Sequence, residues 1–300
     1  MKHITLTGFS AIALSLALAA PAYADREVDE RLDAAPDGRV SISNTSGTVE
    51  VEGWSRSEVE VTGTLGDDVE ELIFERSGDT VRIKVKIPDG RGSWNDSSAD
   101  LTVRVPERSS LEVATISADI EVQGVQGRQD LQAISGDVST ESFAADVDIE
   151  TVSGDIEVQG DGKSAQTDVQ SVSGDIALAR VAGDVDTESV SGDIDVVDAT
   201  LERGDLETVN GDITFRATLE RGGRLDIETV NGGVDVEFSG DVSARFDIET
   251  FNGRIRNCFG PKPERTSKYA PGWELSFTEG DGDGRVSIAT LNGPLNLCKE

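Results

Sequence analysis

A short phrase, Ser-Gly-Asp or Asn-Gly followed by alternating apolar residues, recurs through most of this 300-residue sequence. Counted from Ala118, which takes the glycine's place in the first copy, the phrase returns at steps of 18 to 21 residues, followed by one step of 40. The repeat glycines are Gly136, Gly154, Gly174, Gly192, Gly211, Gly232, Gly253 and Gly293. A fixed period near twenty, built from strand-forming residues, is typical of a solenoid in which each repeat supplies one rung.

The pattern within one repeat predicts two strands separated by a corner. Leu225 and Ile227 alternate with acidic residues, and the alternation returns at Val234 and Val236 with the opposite parity. The chain must therefore turn or bulge at the intervening Asn-Gly, where glycine tolerates conformations that other residues avoid. We predict an all-β fold: a single-stranded parallel β-helix, or β-solenoid, of right-handed sense, with an irregular β cap at its N-terminus.

The chain divides into four predicted segments. Residues 1–24 have the form of a signal peptide, with Lys2 before an apolar stretch and Ala22-Tyr23-Ala24 as a cleavage site. Residues 25–110 use the same strand vocabulary without the short period and are predicted to form the N-terminal β cap region. Residues 111–258 carry the regular rungs, and residues 259–300 a C-terminal insertion and the last rung. The final step of 40 residues fits either two rungs or one rung with an insertion, and its proline- and glycine-rich stretches favour the second.

Composition excludes several classes of function. The chain carries 58 acidic against 27 basic residues, so nucleic acid and anionic membrane surfaces should be repelled. Its one histidine, His3, lies in the predicted signal peptide, so the mature chain lacks the commonest general base and a His-containing metal site. We therefore assign no catalytic residue and no bound cofactor. No later segment is apolar enough to span a membrane, so an integral membrane protein is not expected.

Stacking should align acidic residues in columns. One predicted column contains Asp137, Asp155, Asp175, Asp193 and Asp212, and another contains Glu150, Glu188, Glu207, Glu228 and Glu249. Like charges about 5 Å apart repel by roughly 0.9 kcal/mol even in water, so the aspartates need compensation. Turn amides could donate hydrogen bonds to them, or the column could collect calcium. Asp281 and Asp283 are weaker calcium candidates, because their spacing matches no established calcium loop.

The two cysteines, Cys258 and Cys298, each lie five residues after a repeat glycine. If Gly253 and Gly293 mark adjacent rungs, the two side chains stack about 5 Å apart, which is within reach of a disulfide. An exported protein would oxidise them. We predict a structural disulfide between Cys258 and Cys298.

An ordered set of motifs resembles a known bacterial family. The set comprises Val49-Glu50-Val51-Glu52-Gly53-Trp54, Leu101-Thr102-Val103-Arg104-Val105-Pro106, Ser117-Ala118-Asp119-Ile120 and the repeated Ser-Gly-Asp-Ile. Over roughly residues 40 to 298 the chain is similar to the β-strand-repeat "putative adhesin" family, an exported domain of unknown function. The resemblance implies a β-solenoid outside the cytoplasm, with no catalytic residues to carry over.

Three functions are consistent with these observations. The first is a non-enzymatic extracytoplasmic scaffold or adhesin-like protein of the cell envelope, periplasmic or secreted, which acts as a monomer on an envelope protein or a glycan. The second is a calcium-dependent adhesion module. The third is a polysaccharide-processing β-helix enzyme, for which the abundant carboxylates could supply an acid and a base. Short rungs and few aromatic residues argue against the enzyme.

Overall fold

The computed structural model describes residues 26–88, 97–268 and 271–299, so the predicted signal peptide lies outside the described residues. Every regular element in these three ranges is a β-strand, and the strands join into one 23-stranded sheet. Most strand pairs along the stack are parallel, as a solenoid requires, and this confirms the predicted fold class. The handedness stays a prediction.

The N-terminal region begins the stack and covers its end. Its strands are β1 (Arg26–Asp33), β2 (Arg39–Trp54), β3 (Glu58–Leu65), β4 (Glu71–Ser77), β5 (Thr80–Lys86), β6 (Ala99–Pro106) and β7 (Ser110–Gln123). Strand β2 is already a rung, because it pairs in parallel with β7 on one side and with β5 and β6 on the other. Antiparallel strands then cover the outside: β3 pairs with β6, β1 with β3, and β4 with β5.

The regular rungs follow with two strand faces and a corner between them. Their strands are β8 (Gln129–Ser135), β9 (Val138–Ser142), β10 (Val147–Ser153), β11 (Ile156–Gly160), β12 (Ser164–Ser173), β13 (Ile176–Ala179), β14 (Ala182–Ser191), β15 (Ile194–Asn210), β16 (Ile213–Asn231) and β17 (Val234–Phe238). Neighbouring rungs are in register, so that Ile149 lies between Leu131 and Val169. The long strands β15 and β16 run from the second face of one rung to the first face of the next.

The core lies between the two faces, and the side-chain parity changes at each corner as the sequence predicts. In β10, Val147 and Ile149 are buried, whereas after the corner Ile156 and Val158 of β11 are buried. Because neighbouring rungs stack in register, each buried aliphatic side chain packs against the equivalent side chains in the rungs above and below. The apolar core is therefore continuous along the stack.

Close approach of the backbones is common to the corner glycines, whereas a positive φ occurs at only some of them, with Gly136, Gly154 and Gly174 at +153° to +157°. A Cβ on Gly192 would lie 2.0 Å from the carbonyl oxygen of Gly174 in the rung before it, far inside contact distance. The equivalent Cβ on Gly211 would lie 2.0 Å from the carbonyl oxygen of Gly192. Neither glycine has a left-handed φ. The corner therefore needs glycine chiefly because the stacked backbones leave no room for a side chain.

At the C-terminal end, the order of rungs in the stack differs from their order in the chain. The strands are β18 (Ala244–Thr250), β19 (Ile255–Asn257), β20 (Glu264–Arg265), β21 (Trp273–Glu279), β22 (Gly284–Asn292) and β23 (Leu295–Lys299). Strand β22 lies between β16 and β18, and β23 lies between β17 and β19. The 40-residue step thus holds one rung and an excursion, and that rung is inserted beneath the one that precedes it.

Covalent and aromatic contacts hold this end together. Cys258 and Cys298 form the predicted disulfide, with Cα atoms 4.8 Å apart. Antiparallel β21 covers the outer edge of β18, and its Phe277 ring stacks on Phe246 with centroids 4.5 Å apart. Antiparallel β21 thus covers the last long parallel strand at this end, as β3 and β4 cover β6 and β5 at the other, and this reduces the parallel edge at which another chain could add a strand.

Candidate binding face

One column of exposed apolar side chains runs along the first strand face of the stack, which is formed by the strands that precede each corner, whereas the strands that follow each corner form the second strand face. We call it the apolar ladder; in stack order its members are Ile116, Ile134, Val152, Val172, Val190, Val209, Val230, Leu291 and Phe251. Each directly follows a residue whose side chain points inward, such as Thr151 before Val152. Because neighbours in a strand point to opposite faces, the ladder residues must point outward.

The ladder residues are half exposed although all nine are aliphatic or aromatic. Their exposed fractions lie between 39% and 51%, and within residues 26–88, 97–268 and 271–299 they include every large apolar side chain that is strongly exposed. Nine rungs at about 4.8 Å each make a continuous line about 38 Å long. Single exposed aliphatic residues need no explanation, but a contiguous apolar line on a protein surface marks an interaction site.

A groove of about 1140 Å³ follows the ladder along the stack. Its floor contains a column of buried hydroxyl side chains, several of which bond to a corner carbonyl: Thr208 Oγ1 donates to Gly192 O at 3.2 Å, and Thr229 Oγ1 to Gly211 O at 3.2 Å. Thr266 and Gly272 of the C-terminal excursion line the groove at the Phe251 end. These hydrogen bonds fix the floor residues to the corners of the rungs, so the groove has a fixed shape.

Carboxylates stand beside the ladder on the same face. The column two residues before the ladder reads, in stack order, Ala114, Gln132, Glu150, Gln170, Glu188, Glu207, Glu228, Ala289 and Glu249, so the predicted span runs from Glu150 to Glu249. The predicted glutamate column is therefore present but interrupted twice. Only Glu188, Glu207 and Glu228 occupy three consecutive rungs.

The carboxyls of this face disturb one another's ionisation. We call Asp168, Asp186, Asp205 and Glu207 the acidic face; the pKa of each is raised, first by burial and then by neighbouring carboxylates. For example, the Asp226 carboxylate of the next rung raises the pKa of Asp205, and the nearby Arg224 and Arg203 only partly offset this increase. The surface beside the ladder therefore has a negative potential that favours cations.

The corner aspartates form a second acidic column, and backbone amides compensate it. The carboxylate of Asp155 accepts a hydrogen bond from Asp175 N at 2.9 Å, and that of Asp175 accepts one from Asp193 N at 2.8 Å. The same contact repeats from Asp119 to Gly233 and includes the candidates Asp137 and Asp212. In the part of the chain that the structure describes, no three His, Cys, Asp or Glu residues are grouped to hold a metal ion. Calcium binding stays a prediction.

Asp281 and Asp283, the other calcium candidates, both pair with a guanidinium group. Arg221 Nη2 donates to Asp281 Oδ2 at 2.7 Å, and Arg221 Nε donates to Asp283 Oδ2 at 2.7 Å. The two carboxylates thus lie close together around one guanidinium group, which offsets one of their two negative charges. The structure does not bring them together with the corner aspartates.

The sequence analysis did not single out the apolar ladder, although its signal is present. The residue before each Ser-Gly or Asn-Gly is apolar, and the parity that buries Ile149 and Thr151 places Val152 outside. Parity therefore identifies each ladder residue as outward-facing, whereas their alignment in one column depends on the order of the rungs.

Comparison with known proteins supplies a family but little more. The model of the family described as "Toastrack DUF4097" matches residues 39–297, which run from the start of β2 into β23. No curated protein matches the chain. Within the described residues, no helix is long and apolar enough to cross a bilayer.

Three solved structures are similar to this chain at low identity. A "putative lipid binding protein" from Parabacteroides distasonis is 14% identical, with 90% of this chain and 96% of that chain covered and a TM-score of 0.45. A "putative adhesin" from Bacteroides fragilis is 10% identical, with 93% and 99% covered and a TM-score of 0.44. A "putative cell adhesion protein" from Clostridium sporogenes is 10% identical, with 92% and 100% covered and a TM-score of 0.25.

Proposed function

The chain belongs to the Toastrack DUF4097 family, and we propose that it is a non-enzymatic, extracytoplasmic, adhesin-like scaffold that binds an elongated partner along its apolar ladder. The observation that carries this proposal is the unbroken line of nine half-exposed apolar side chains in a groove of fixed shape. A solenoid whose end strands are partly covered offers its long faces more than its edges for recognition.

An extracytoplasmic location is supported by two features. The Cys258–Cys298 disulfide is of the kind that persists in oxidising compartments. Residues 1–24 have the charge, apolar stretch and small-residue motif of an export signal. A periplasmic or secreted protein, acting as a monomer on an envelope protein or glycan, is consistent with both.

The binding role is tested by retention on isolated cell envelope. A triple variant, Val190→Ser, Val209→Ser and Val230→Ser, removes the centre of the ladder without touching the core. The matched control replaces the same three residues by isoleucine, which keeps the apolar character. We expect the serine variant to lose about nine-tenths of its envelope-bound fraction and the isoleucine variant to keep it. The apolar area that the three valines would bury against the partner is large enough for its loss to weaken the affinity at least tenfold. Equal retention of all three proteins would overturn the proposal.

The non-enzymatic part has its own test. The mature protein is incubated with a panel of plant and bacterial polysaccharides, and new reducing ends and unsaturated products are measured. We expect no product above the buffer blank. Turnover of any polysaccharide that scales with protein concentration would instead favour the polysaccharide-processing enzyme.

A further inference from the structure

We infer that the partner of the apolar ladder is a cationic amphipathic helix of about four turns, lying along the stack axis. This inference rests on the proposed function, because it names the class of partner for the same face. It follows from the charges beside the ladder and from the spacing of the rungs.

The charges beside the ladder define one edge of the partner. Val209 has Glu207 two residues before it on the same face, about 7 Å away along the strand, and Asp212 three residues after it at the corner. Glutamates therefore flank the apolar line on one side, while the corner aspartates lie beyond the turn and accept hydrogen bonds from backbone amides. A partner that buries the ladder must present an apolar stripe with lysine or arginine on the glutamate side, or it leaves those carboxylates facing apolar or like-charged groups.

A second copy of this chain does not meet that requirement. Two ladders placed face to face would bring two glutamate columns into proximity, and the chain carries a formal net charge of −31. The carboxyls of the acidic face already repel one another within one molecule. Charge complementarity thus selects a cationic partner over self-association.

The spacing of the ladder selects a helix over a strand. Ladder side chains repeat about every 4.8 Å, while a helix presents its stripe about every 5.4 Å and a strand presents one face about every 6.8 Å. The helix drifts from the ladder by about 0.6 Å per turn, so about four turns pass before it is half a rung out of step. A strand is out of step by more than that after two contacts. A strand added at an end of the sheet would pair with an outermost strand and would not lie along the ladder.

The continuous part of the glutamate column locates the centre of the site. Glu188, Glu207 and Glu228 occupy consecutive rungs beside Val190, Val209 and Val230, whereas Gln170 interrupts the column on one side. Ala289 interrupts it on the other. The helix should therefore centre on these three rungs and extend about one rung to either side.

The test uses a synthetic peptide of about 18 residues with leucine along one helical stripe and lysine beside it. Its binding to the mature, oxidised chain is measured by fluorescence anisotropy, and its helicity by circular dichroism. We expect saturable one-to-one binding with a gain of helix. The Val190→Ser, Val209→Ser, Val230→Ser variant should bind at least about tenfold more weakly, and the isoleucine control should bind like the parent.

A second pair of variants tests the charges. Glu188→Gln with Glu207→Gln should weaken binding about fivefold at low salt, and the difference should vanish at high salt. The matched control, Glu157→Gln with Asp195→Asn, makes the same change in net charge on exposed positions of the second strand face. It should stay within about twofold of the parent, because only local charges are felt strongly across a Debye length.

Three results would overturn the helix assignment. The first is equal binding of a scrambled peptide that lacks the stripe, which would mean attraction by charge alone. The second is equal binding of a peptide with glutamate in place of lysine, which would indicate an apolar ligand such as an acyl chain. The third is a dimer in solution that the serine variant dissociates, which would make the partner a second copy. If the serine variant loses envelope retention but no peptide binds, the helix assignment fails and the proposed function stands; unchanged retention removes both.

Discussion

Replacing Gly192 by alanine should destabilise the solenoid by an amount that can be worked out from the corner. The added Cβ would lie 2.0 Å from the carbonyl oxygen and 2.7 Å from the carbonyl carbon of Gly174. A Cβ essentially never comes closer than 3.0 Å to another heavy atom, so the contact with the oxygen forces the two rungs to separate locally by about 1 Å. The φ angle at Gly192 is not left-handed, so the cost arises from the contact and not from the backbone conformation.

Three hydrogen bonds join these two rungs at the corner and would be stretched beyond useful length. Gly174 N donates to Ser191 O at 3.1 Å, Ile176 N donates to Asp193 O at 2.9 Å, and Asp193 N donates to the Asp175 carboxylate at 2.8 Å. At about 1 kcal/mol each their loss costs about 3 kcal/mol, and alanine returns about 0.5 kcal/mol by restricting the unfolded chain. We therefore expect Gly192→Ala to lower the free energy of unfolding by about 2 to 3 kcal/mol.

Urea denaturation followed by circular dichroism measures this change. The control is Gly162→Ala, where φ is +80° and no atom lies within 4 Å of the added Cβ. There the cost is backbone strain alone, about 1 kcal/mol. A Gly192→Ala variant that loses no more stability than Gly162→Ala would refute the view that the corner glycines are required by close rung contact.

Four further outcomes are expected. Replacing Cys258 and Cys298 by serine should lower the free energy of unfolding by about 4 kcal/mol in the chain-entropy model for a separation of 40 residues, measured in urea against the oxidised parent; an unchanged midpoint would contradict a stabilising role. Thr187→Val should raise stability by about 1 kcal/mol, because the Thr187 hydroxyl is buried without a hydrogen-bond partner, and a lower melting temperature would contradict this. The raised pKa values of the acidic face mean that the folded chain binds more protons than the unfolded chain between the ordinary and the raised values, so the melting temperature at low salt should rise as the pH falls from neutrality toward the ordinary pKa values of these carboxyls; a fall would show that other groups dominate. Asp175→Asn keeps an acceptor for Asp193 N and removes one repelling charge, so it should match or exceed the parent in stability with no response to calcium; a calcium-dependent rise in the parent that the variant loses would establish a cation site.

The pattern of buried and exposed residues within each rung could be predicted from the sequence because it depends on neighbouring residues. Alternation in Leu225 and Ile227 and its reversal at Val234 predict which side chains are buried, and the matched phase of the two cysteines predicts the disulfide. These features follow from strand geometry and from a constant repeat, which act over a few residues.

The order of the rungs could not be read in the same way. Gly47 takes the corner position opposite Ala118, but strands β3 to β6 intervene in the chain, so the regular period does not include it. Likewise, nothing in the pattern of β22 says that it lies beneath β18. Which rungs become neighbours depends on how far the connecting segments reach, and the repeat carries no information about that.

The same holds for the apolar ladder. The outward direction of any one member, such as Val172, is a local property that parity predicts. Its role depends on nine such residues lying in register, which requires the rung order as well. Candidate sites of this kind are therefore found only after the stack is known, and sequence motifs direct attention to the acidic columns instead.

The inserted rung has a consequence for how the chain reaches its native state. Strand β18 precedes β22 in the chain, and Asp226-Ile227-Glu228-Thr229 of β16 is repeated as Asp247-Ile248-Glu249-Thr250 in β18. The two segments therefore fit each other in register, and early pairing between them would trap a stack with one rung missing. To reach the native stack, β18 must detach from β16 so that residues 284–299 can insert between them.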